Sequence, residues 1–472
     1  MIANAITLPF YAPLSVMDSH TSQDQIIRSI TQHKAYFESG NTLPLQQRIN
    51  ALNLLEKNLI ANRDALIDAL HQDLGKPELE AHVAEYHFLL EEIRLVTRKL
   101  AKWVKPGRAR TPLHFHPSRA SIQRDPFGVT LIIAPWNYPI QLSIAPLISA
   151  IAAGNTVILK PSELAPPSEQ LLTKLIADTF DPAHATVITG DASTSRELLA
   201  QPFDFIFFTG STEVGRIVAQ QAAAHLTPCI LELGGKCPVV VDEHTDIEQT
   251  ARRILIGKFF NGGQTCFAPD FVAVHENAHA ELVAAMTELL RTTPWHQEMA
   301  HIINRRHYDR IQSLITGTEV CFESDDADAL RIAPRLLPDA QWSDPALNEE
   351  IFGPVLPIVK FSNRNELITR LRKFTSPLAL YLFSSDKSFT RELTHAIRSG
   401  SVCINDTMKQ SGNLNLPFGG VGASGHGRYR GRFGVESFTY QRPVVRRPFL
   451  KDLFEIIPPY AEKLPMIRRF LK

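Results

Sequence analysis

Charge of one sign is the first thing this 472-residue chain lacks, since 49 Lys and Arg stand against 49 Asp and Glu. That balance offers no global attraction to nucleic acid or to an acidic surface, so the expected partner is a small molecule. Cysteine is scarce too. Cys229, Cys237, Cys266, Cys321 and Cys403 are too few and too scattered for a disulfide framework, and no CxxC pair is there to hold zinc. A reducing compartment fits that usage, and a cytoplasmic location is expected. The first twenty residues hold no Lys or Arg, so they lack the basic start of a secretory signal and the arginines of a mitochondrial presequence. Met17 is an alternative start. The longest uncharged run, Pro126 to Leu159, would suit a membrane helix, but Pro135, Pro139 and Pro146, with Asn137 and Gln141, divide it into strand, turn, helix and strand. No transmembrane segment is expected.

What is present is ordinary soluble composition, 44% hydrophobic and 21% charged, over a length that accommodates two or three domains. Residues 22 to 104 read as amphipathic helices, with Ile49, Leu52, Leu55 and Leu59, then Leu89, Ile93, Val96 and Leu100, at helical spacing. From Val129 strands and helices alternate through VTLII, TVILK, ATVIT and DFIFF, the pattern of a doubly wound α/β domain. A second αβ series begins near Glu232 and continues through FVAV, PVLPIVKF and ALYLFSS to VCIND. The fold class expected is α/β: a Rossmann-like cofactor-binding domain over 22–111 and 125–231, and a catalytic domain over 232–406. Residues 407–428 are read as a substrate-entrance loop and 448–472 as a tail. That tail carries a short basic amphipathic segment, interrupted by Pro465, for which packing on the protein or disorder is favoured over membrane-surface binding.

The chemistry is carried by a thiol, a carboxylate and an amide. Cys266 follows the pair Gly262-Gly263, which lets backbone approach whatever the sulfur attacks. Glu232 lies at the end of the apolar run CILEL, before Gly234-Gly235, and Asn137 follows an Ile-Ile strand between two prolines. An arbitrary cysteine is a small buried hydrophobe, a strand-end glutamate a solvated charge, and an asparagine beside proline a turn former. Together they form a set for acyl chemistry, in which sulfur attacks, the amide binds an oxyanion and the carboxylate activates water. A free thiol is mostly protonated at neutral pH, so the attack also needs a base or a favourable field. A phosphate site is suggested by Gly210-Ser211-Thr212-Glu213-Val214-Gly215, which follows a strand and opens a helix, so that N–H groups can face a pyrophosphate. Lys160 and Glu163 leave TVILK at a strand's carboxyl end, where open α/β sheets bind nucleotides.

These pieces occur in a fixed order: KPSE (Lys160 to Glu163), FTGSTEVGR (Phe208 to Arg216), LELGGK (Leu231 to Lys236), GGQTC (Gly262 to Cys266), EEIFGP (Glu349 to Pro354) and LPFGGVGASG (Leu416 to Gly425). The series resembles the aldehyde dehydrogenase superfamily over roughly residues 25 to 445, and in KPSE, LPFGGVGASG and the short N-terminal region it looks like the class 3 branch. The resemblance implies NAD(P)-dependent oxidation of medium-chain aliphatic or aromatic aldehydes to acids, with Cys266 as nucleophile, Glu232 as general base and Asn137 as the oxyanion-binding amide. NAD is the implied cofactor, with NADP also possible. Lys160 and Glu163 would hold the adenine ribose, Glu350 and Phe352 the nicotinamide ribose, and Trp136 would line the nicotinamide and substrate channel. Gly210, Ser211, Gly215, Leu233 and Gly234 complete the implied cofactor set. Residues 112–124 and 429–447 fit neither αβ series, and by resemblance they pair as a hairpin projection that makes a homodimer.

Three motifs are read as decoys. His275 to His279 spells HExxH, but Phe271 to Val274 reads as a strand and Asn277 as an N-cap, so the two histidines straddle a boundary and no metal is expected. Gly420 to Gly425 spells GxGxxG without a strand leading directly into it. Arg428, Arg430 and Arg432 resemble a nucleic-acid-binding cluster, yet no other basic surface supports them, and they are read as a solvated strand. Cys237 and Gly262 depart from the family's usual residues at their positions without disturbing the proposed chemistry, and Asn348, ahead of EEIFGP, departs where it bears on local cofactor contacts but not on the class. A cofactor-free thiol hydrolase would use Cys266 and Glu232 but not Lys160, Glu163 or Glu350; a catalytically silent homologue is the other rival.

Overall fold

The structure is a computed structural model that describes residues 21–450 and 457–470; the alternative start at Met17 lies outside the described residues. Four long helices, Gln23–Glu38, Leu45–Ala61, Arg63–Leu74 and Phe88–Trp103, open the described chain. Leu52, Leu55 and Leu59 on the second, and Leu89, Ile93, Val96 and Leu100 on the last, are buried, so the helical spacing in the sequence marks a real inward face.

Two short strands follow, β1 (Gly107–Ala109) and β2 (Arg119–Pro126), and then the first αβ series: β3 (Val129–Ile133), β4 (Thr156–Lys160), β5 (Ala185–Val187), β6 (Phe205–Gly210) and β7 (Cys229–Leu233). The second series comprises β8 (Pro238–Val241), β9 (Phe271–His275), β10 (Arg335–Leu337), β11 (Val355–Phe361), β12 (Ala379–Phe383) and β13 (Ser401–Ile404); β14 (Gly425–His426) and β15 (Thr439–Arg446) close the chain's strands. Near-continuous Val, Ile, Leu and Phe in β3, β4, β8 and β12 suit strands buried on both faces, and every residue of these four is buried. The long uncharged run contains the helix Gln141–Ala153, buried throughout, with Pro146 inside it and Gly154 closing it at φ 101°.

The first sheet runs β14-β7-β6-β3-β4-β5 and is parallel except for β14; the second runs β10-β11-β9-β8-β12-β13 and is parallel throughout. Strand order reverses in the first sheet between β3 and β6, which opens a crevice at their carboxyl ends. The loops leaving that crevice meet those that enter β8, β9, β11 and β12, so the site lies between the carboxyl edge of one sheet and the amino edge of the other. A third sheet, β1-β2-β15, pairs β2 with β15 from Thr439↔Pro126 to Arg446↔Arg119.

Several boundaries move. Glu232 and Leu233 belong to β7, so the expected boundary at 232 falls inside a strand hydrogen-bonded into the first sheet. Within 407–428, β14 pairs antiparallel with β7 as Gly425↔Glu232. Of 429–447 only 439–446 is strand; Gly431–Ser437 is a helix packed on the first domain, because Gly434 lets it approach Ser149, whose Oγ would lie 2.1 Å from an added Cβ. His275, not Asn277, caps the helix Glu276–Thr292 by accepting the Asn277 N–H; His279 lies inside that helix and pairs with the Pro338 carbonyl. In the tail, Leu464–Phe470 is helical with Pro465 in its first turn, where proline starts a helix instead of breaking it; Leu464 and Met466 are exposed. Among the described residues no helix is long and apolar enough to cross a membrane.

Candidate active site

Cys266 stands after three consecutive left-handed residues, Asn261 (φ 56°), Gly262 (φ 62°) and Gly263 (φ 75°). An added Cβ at Gly263 would lie 2.3 Å from the Gly353 carbonyl oxygen, so the glycine is required both for its backbone angle and for the approach of the EEIFGP segment. The residues around the sulfur are then fastened one by one. The Asn137 side-chain amide donates to the Gln264 carbonyl at 2.9 Å, and the Asn137 carbonyl accepts from Lys76 Nζ at 3.1 Å and Asn261 Nδ2 at 2.9 Å. Tyr138 and Thr265 share a hydroxyl pair at 2.6 Å, and the Cys237 thiol donates to the Cys266 carbonyl at 3.5 Å. Asn137 thus has one amide proton committed to Gln264 and a second left to point at an oxyanion.

Beneath Asn137 lies a buried ion pair that sequence reasoning missed. Lys76 pairs with Glu85, and the other Glu85 oxygen accepts the Ile140 and Gln141 N–H groups at 3.0 Å each, so one carboxylate caps the buried helix and neutralises the lysine that grips the Asn137 loop. The two residues are nine apart, and a π-helical stretch, His82–His87, carries Glu85. A second such anchor joins Lys236 to Asp270 and to the carbonyls of Ala346 (2.6 Å) and Glu349 (2.9 Å), while Asp270 accepts the Ile351 N–H at 3.0 Å. It fixes the segment that holds Glu350 and Phe352.

Cys266 and Glu232 line one chamber of about 720 Å³, whose wall includes Phe88, Leu142, Phe267, Leu378, Phe418 and Tyr429, with the exposed Arg252 and Lys409 also lining it. Burial pushes the Cys266 thiol up, and the facing Glu350 and Glu232 carboxylates push it further, so the resting sulfur is protonated at neutral pH. Glu232 is 3% exposed, and neither of its carboxylate oxygens has a hydrogen-bond partner. Burial raises its carboxyl well above the usual range, while Arg430 and Arg428 draw it down. Glu350 lies against Gly234, where an added Cβ would meet Glu350 Oε2 at 2.1 Å, so the glycine pair admits this carboxylate. Burial and the nearby Asp270 push Glu350 up to about 8, while the Gly235 N–H, among others, draws it down.

Arg430 overturns the solvated reading of the arginine cluster. Only Arg432 is exposed; Arg428 is half-buried and donates to the carbonyls of Gly420 and Gly427, and Arg430 is 4% exposed in the chamber wall. The alternation of arginines signalled a strand, but the segment is the tight lead into the helix Gly431–Ser437, with Arg430 at φ 80°.

The cofactor candidates lie together along the crevice. Lys160, 2% exposed, ends β4 and pairs with Glu163 at 2.8 Å. Gly210 ends β6, Ser211 caps the helix Thr212–Ala224 through the Val214 N–H, and Gly215 lets that helix settle on Leu233 of β7, 2.5 Å from an added Cβ. Trp136 packs its ring 5.5 Å from Phe352, joining the two sheets' loops. The GxGxxG segment lies on this side as well: Thr212 donates to the Ala423 carbonyl, so that stretch braces the helix Thr212–Ala224, whereas Thr407, Met408, Lys409, Ser411, Gly412 and Asn413 line the chamber.

The aldehyde dehydrogenase family model matches residues 15–444. The chain belongs to this family. Aldehyde dehydrogenase family 3 member H1 of Arabidopsis thaliana is 39% identical over 451 residues, covering 93% of each chain, which agrees with the class 3 resemblance. The substrate-bound state of Staphylococcus aureus AldH superposes with a TM-score of 0.91 at 38% identity, covering 95% of this aldehyde dehydrogenase and 99% of that chain. The NADP complex of the NADP-dependent glyceraldehyde-3-phosphate dehydrogenase of Bacillus halodurans gives 0.82 at 26%, covering 90% and 91%.

Proposed function

We propose that this aldehyde dehydrogenase oxidises medium-chain aliphatic or aromatic aldehydes to carboxylic acids, with NAD as cofactor and NADP admitted. The observation that carries the reading is the joint placement of Cys266 and Glu232 in one apolar chamber, beside a crevice suited to a nucleotide.

That crevice fits the cofactor: a capped helix N-terminus at Ser211 can face a pyrophosphate, and Lys160 with Glu163 stands where an adenine ribose would lie. Glu350, Phe352, Trp136, Leu233 and Gly234 would hold the nicotinamide end. When bound, the nicotinamide accepts a hydride. The Cys266 thiol gives its proton to water and its sulfur adds to the aldehyde carbon, while the free Asn137 amide proton and the Cys266 N–H hold the alkoxide; the thiolate displaced at the end of the cycle takes its proton back from Glu232. Loss of hydride converts the thiohemiacetal to a thioester. Glu232, its oxygens unpartnered, accepts a proton from water, the hydroxide displaces sulfur, and the acid departs. Aldehyde, NAD⁺ and water become acid, NADH and a proton.

Aromatic and aliphatic walls favour substrates with an apolar body. An aldehyde panel with each cofactor tests the reading: kcat/KM is expected to rise with chain length and with aromatic groups, and short polar aldehydes as the best substrates would refute it. Ester turnover without nucleotide binding would favour the hydrolase alternative. The three-stranded sheet exposes Val445, Tyr440 and Ile122, which supports a homodimer through this element; light scattering that finds a monomer at micromolar concentration would remove it.

A further inference from the structure

Arg430 is a buried cation in an apolar wall. Its guanidinium lies 4.1 Å from the Phe418 ring centre, 4.8 Å from Phe88 and 5.5 Å from Tyr429, and it donates through Nη1 to the Ser411 carbonyl. Among the described residues no carboxylate stands within salt-bridge distance of it, and its Nε has no partner. A guanidinium in such a place is costly unless an anion balances it. Two buried carboxylates flank it. Glu92, on the helix Phe88–Trp103, accepts the Gly431 N–H at 2.9 Å, and Glu232 shares the chamber with Arg430.

We propose that Arg430 is a positioning residue for thioester hydrolysis, acting through space on the Glu232 carboxylate to keep it charged and turned toward the water it must activate. The inference rests on the reading of Glu232 given above. The groups that face Glu232 are Arg428, Tyr429 and Arg430 on the segment ahead of the helix Gly431–Ser437, and Cys266 from the loop before β9. Gly419 supplies only backbone: an added Cβ there would lie 2.9 Å from Glu232 Oε1. Arg428 is committed to the Gly420 and Gly427 carbonyls and braces the loop, whereas Arg430 lines the chamber with Glu232 and keeps its Nε without a partner. Burial alone would hold Glu232 protonated through the neutral range, and the two arginines oppose it. Removing one therefore moves ionisation of the base to higher pH.

The test compares the full-length parent protein with Arg430→Met and Arg430→Lys, using octanal and NAD and reading single-turnover NADH formation and steady-state rate from pH 6 to 10. In Arg430→Met the NADH burst should persist, the acid limb of the steady rate should move up by about one pH unit, and rates on that limb should fall about tenfold. At high pH the rate should return toward the parent's, and Arg430→Lys should restore most of the limb. A parallel loss at every pH in both variants, or an unmoved limb in Arg430→Met, overturns the inference while leaving the function intact. If Arg430→Met does not fold, Arg430→Gln takes its place: an acid limb moved upward with the burst intact supports the inference, and an unmoved limb overturns it. Absence of NADH from the parent with every aldehyde and either cofactor removes the reading of Glu232 itself, and the inference with it.

Discussion

On the Cys266 side of the chamber, Asn261, Gln264, Thr265 and Cys266 each make a hydrogen bond to a defined partner, and the Asn137 loop is gripped by Lys76 from below. On the Glu232 side neither carboxylate oxygen has a partner, and the nearest compensation is the positive charge of Arg430 and Arg428 acting at a distance. The contrast matches the two tasks proposed for these residues. A nucleophile must meet a carbon within a fraction of an ångström, so its loop is over-determined. A base that is to seize a water needs vacant lone pairs, and an unsatisfied buried carboxylate, which costs about 1–3 kcal/mol or more, is a reserve of acceptor strength for that step.

The largest effect is expected at the sulfur. Cys266→Ser should lower aldehyde oxidation roughly a hundredfold or more, because a serine hydroxyl is far harder to ionise than a thiol. Nucleotide binding, measured by fluorescence quenching or calorimetry, should stay close to the parent's, since the cofactor crevice is built from other loops. Retained turnover above a few per cent would dismiss the thiol as nucleophile.

Next in size is Glu232→Gln, which keeps shape but cannot accept a proton. Thioester hydrolysis should slow by about two to four orders of magnitude while the first NADH burst survives. Mass spectrometry should then find an acyl adduct on Cys266. In the unmodified enzyme the steady rate should fall as pH drops and Glu232 becomes protonated, because burial has moved that protonation above the usual carboxylate range; in the variant this acid limb should be gone. Loss of the burst would mean that Glu232 chiefly ionises the thiol.

The ordered side of the chamber is sharpened by Lys76→Met. It leaves Glu85 buried with no cation, at a cost of about 3–5 kcal/mol, and takes one of two donors from the Asn137 carbonyl, which keeps only Asn261 Nδ2. The unfolding midpoint should drop by several degrees, and acylation should slow by about ten- to a hundredfold as Asn137 drifts. Unchanged acylation in a folded variant would show that Gln264 and Asn261 hold Asn137 without help.

What the sequence disclosed divides along the same line. Cys266, Glu232 and Asn137 were singled out by the glycines, prolines and strand ends beside them together with the family resemblance, and strands such as VTLII and TVILK were legible as buried runs, although their order in the sheet was not. The supporting charges were not. Lys76 with Glu85, and Lys236 with Asp270, are ion pairs made across tertiary contacts, and nothing in a lysine's neighbours in sequence announces that it will be buried. Arg430 was misread because its alternation with Arg428 and Arg432 imitates an exposed strand, whereas its burial is set by Phe88 and Phe418 from distant segments. The boundary at Glu232 was misplaced for a related reason: β7 belongs to the first sheet by pairing, which local pattern does not reveal.

The smallest effect is expected at the edge of the crevice, far from either side of the chamber. Glu163 has a side chain 40% exposed and pairs with the buried Lys160 at 2.8 Å. With the adenine ribose placed there, as proposed, a carboxylate would accept hydrogen bonds from ribose hydroxyls and repel a 2′-phosphate, while Lys160 would attract one, so the pair would set the balance between NAD and NADP. Glu163→Gln keeps an acceptor for the hydroxyls, removes the repulsion and leaves Lys160 unopposed. Because the group is solvated, the change should be modest: the ratio of kcat/KM for NADP to that for NAD should rise about two- to fivefold, mostly through KM for NADP, and less so at high salt. Octanal oxidation measured with each cofactor at 50 and 500 mM salt checks it. A ratio that stays fixed, or that moves toward NAD, would place the adenine ribose away from Glu163 while leaving the acyl chemistry at Cys266 and Glu232 untouched.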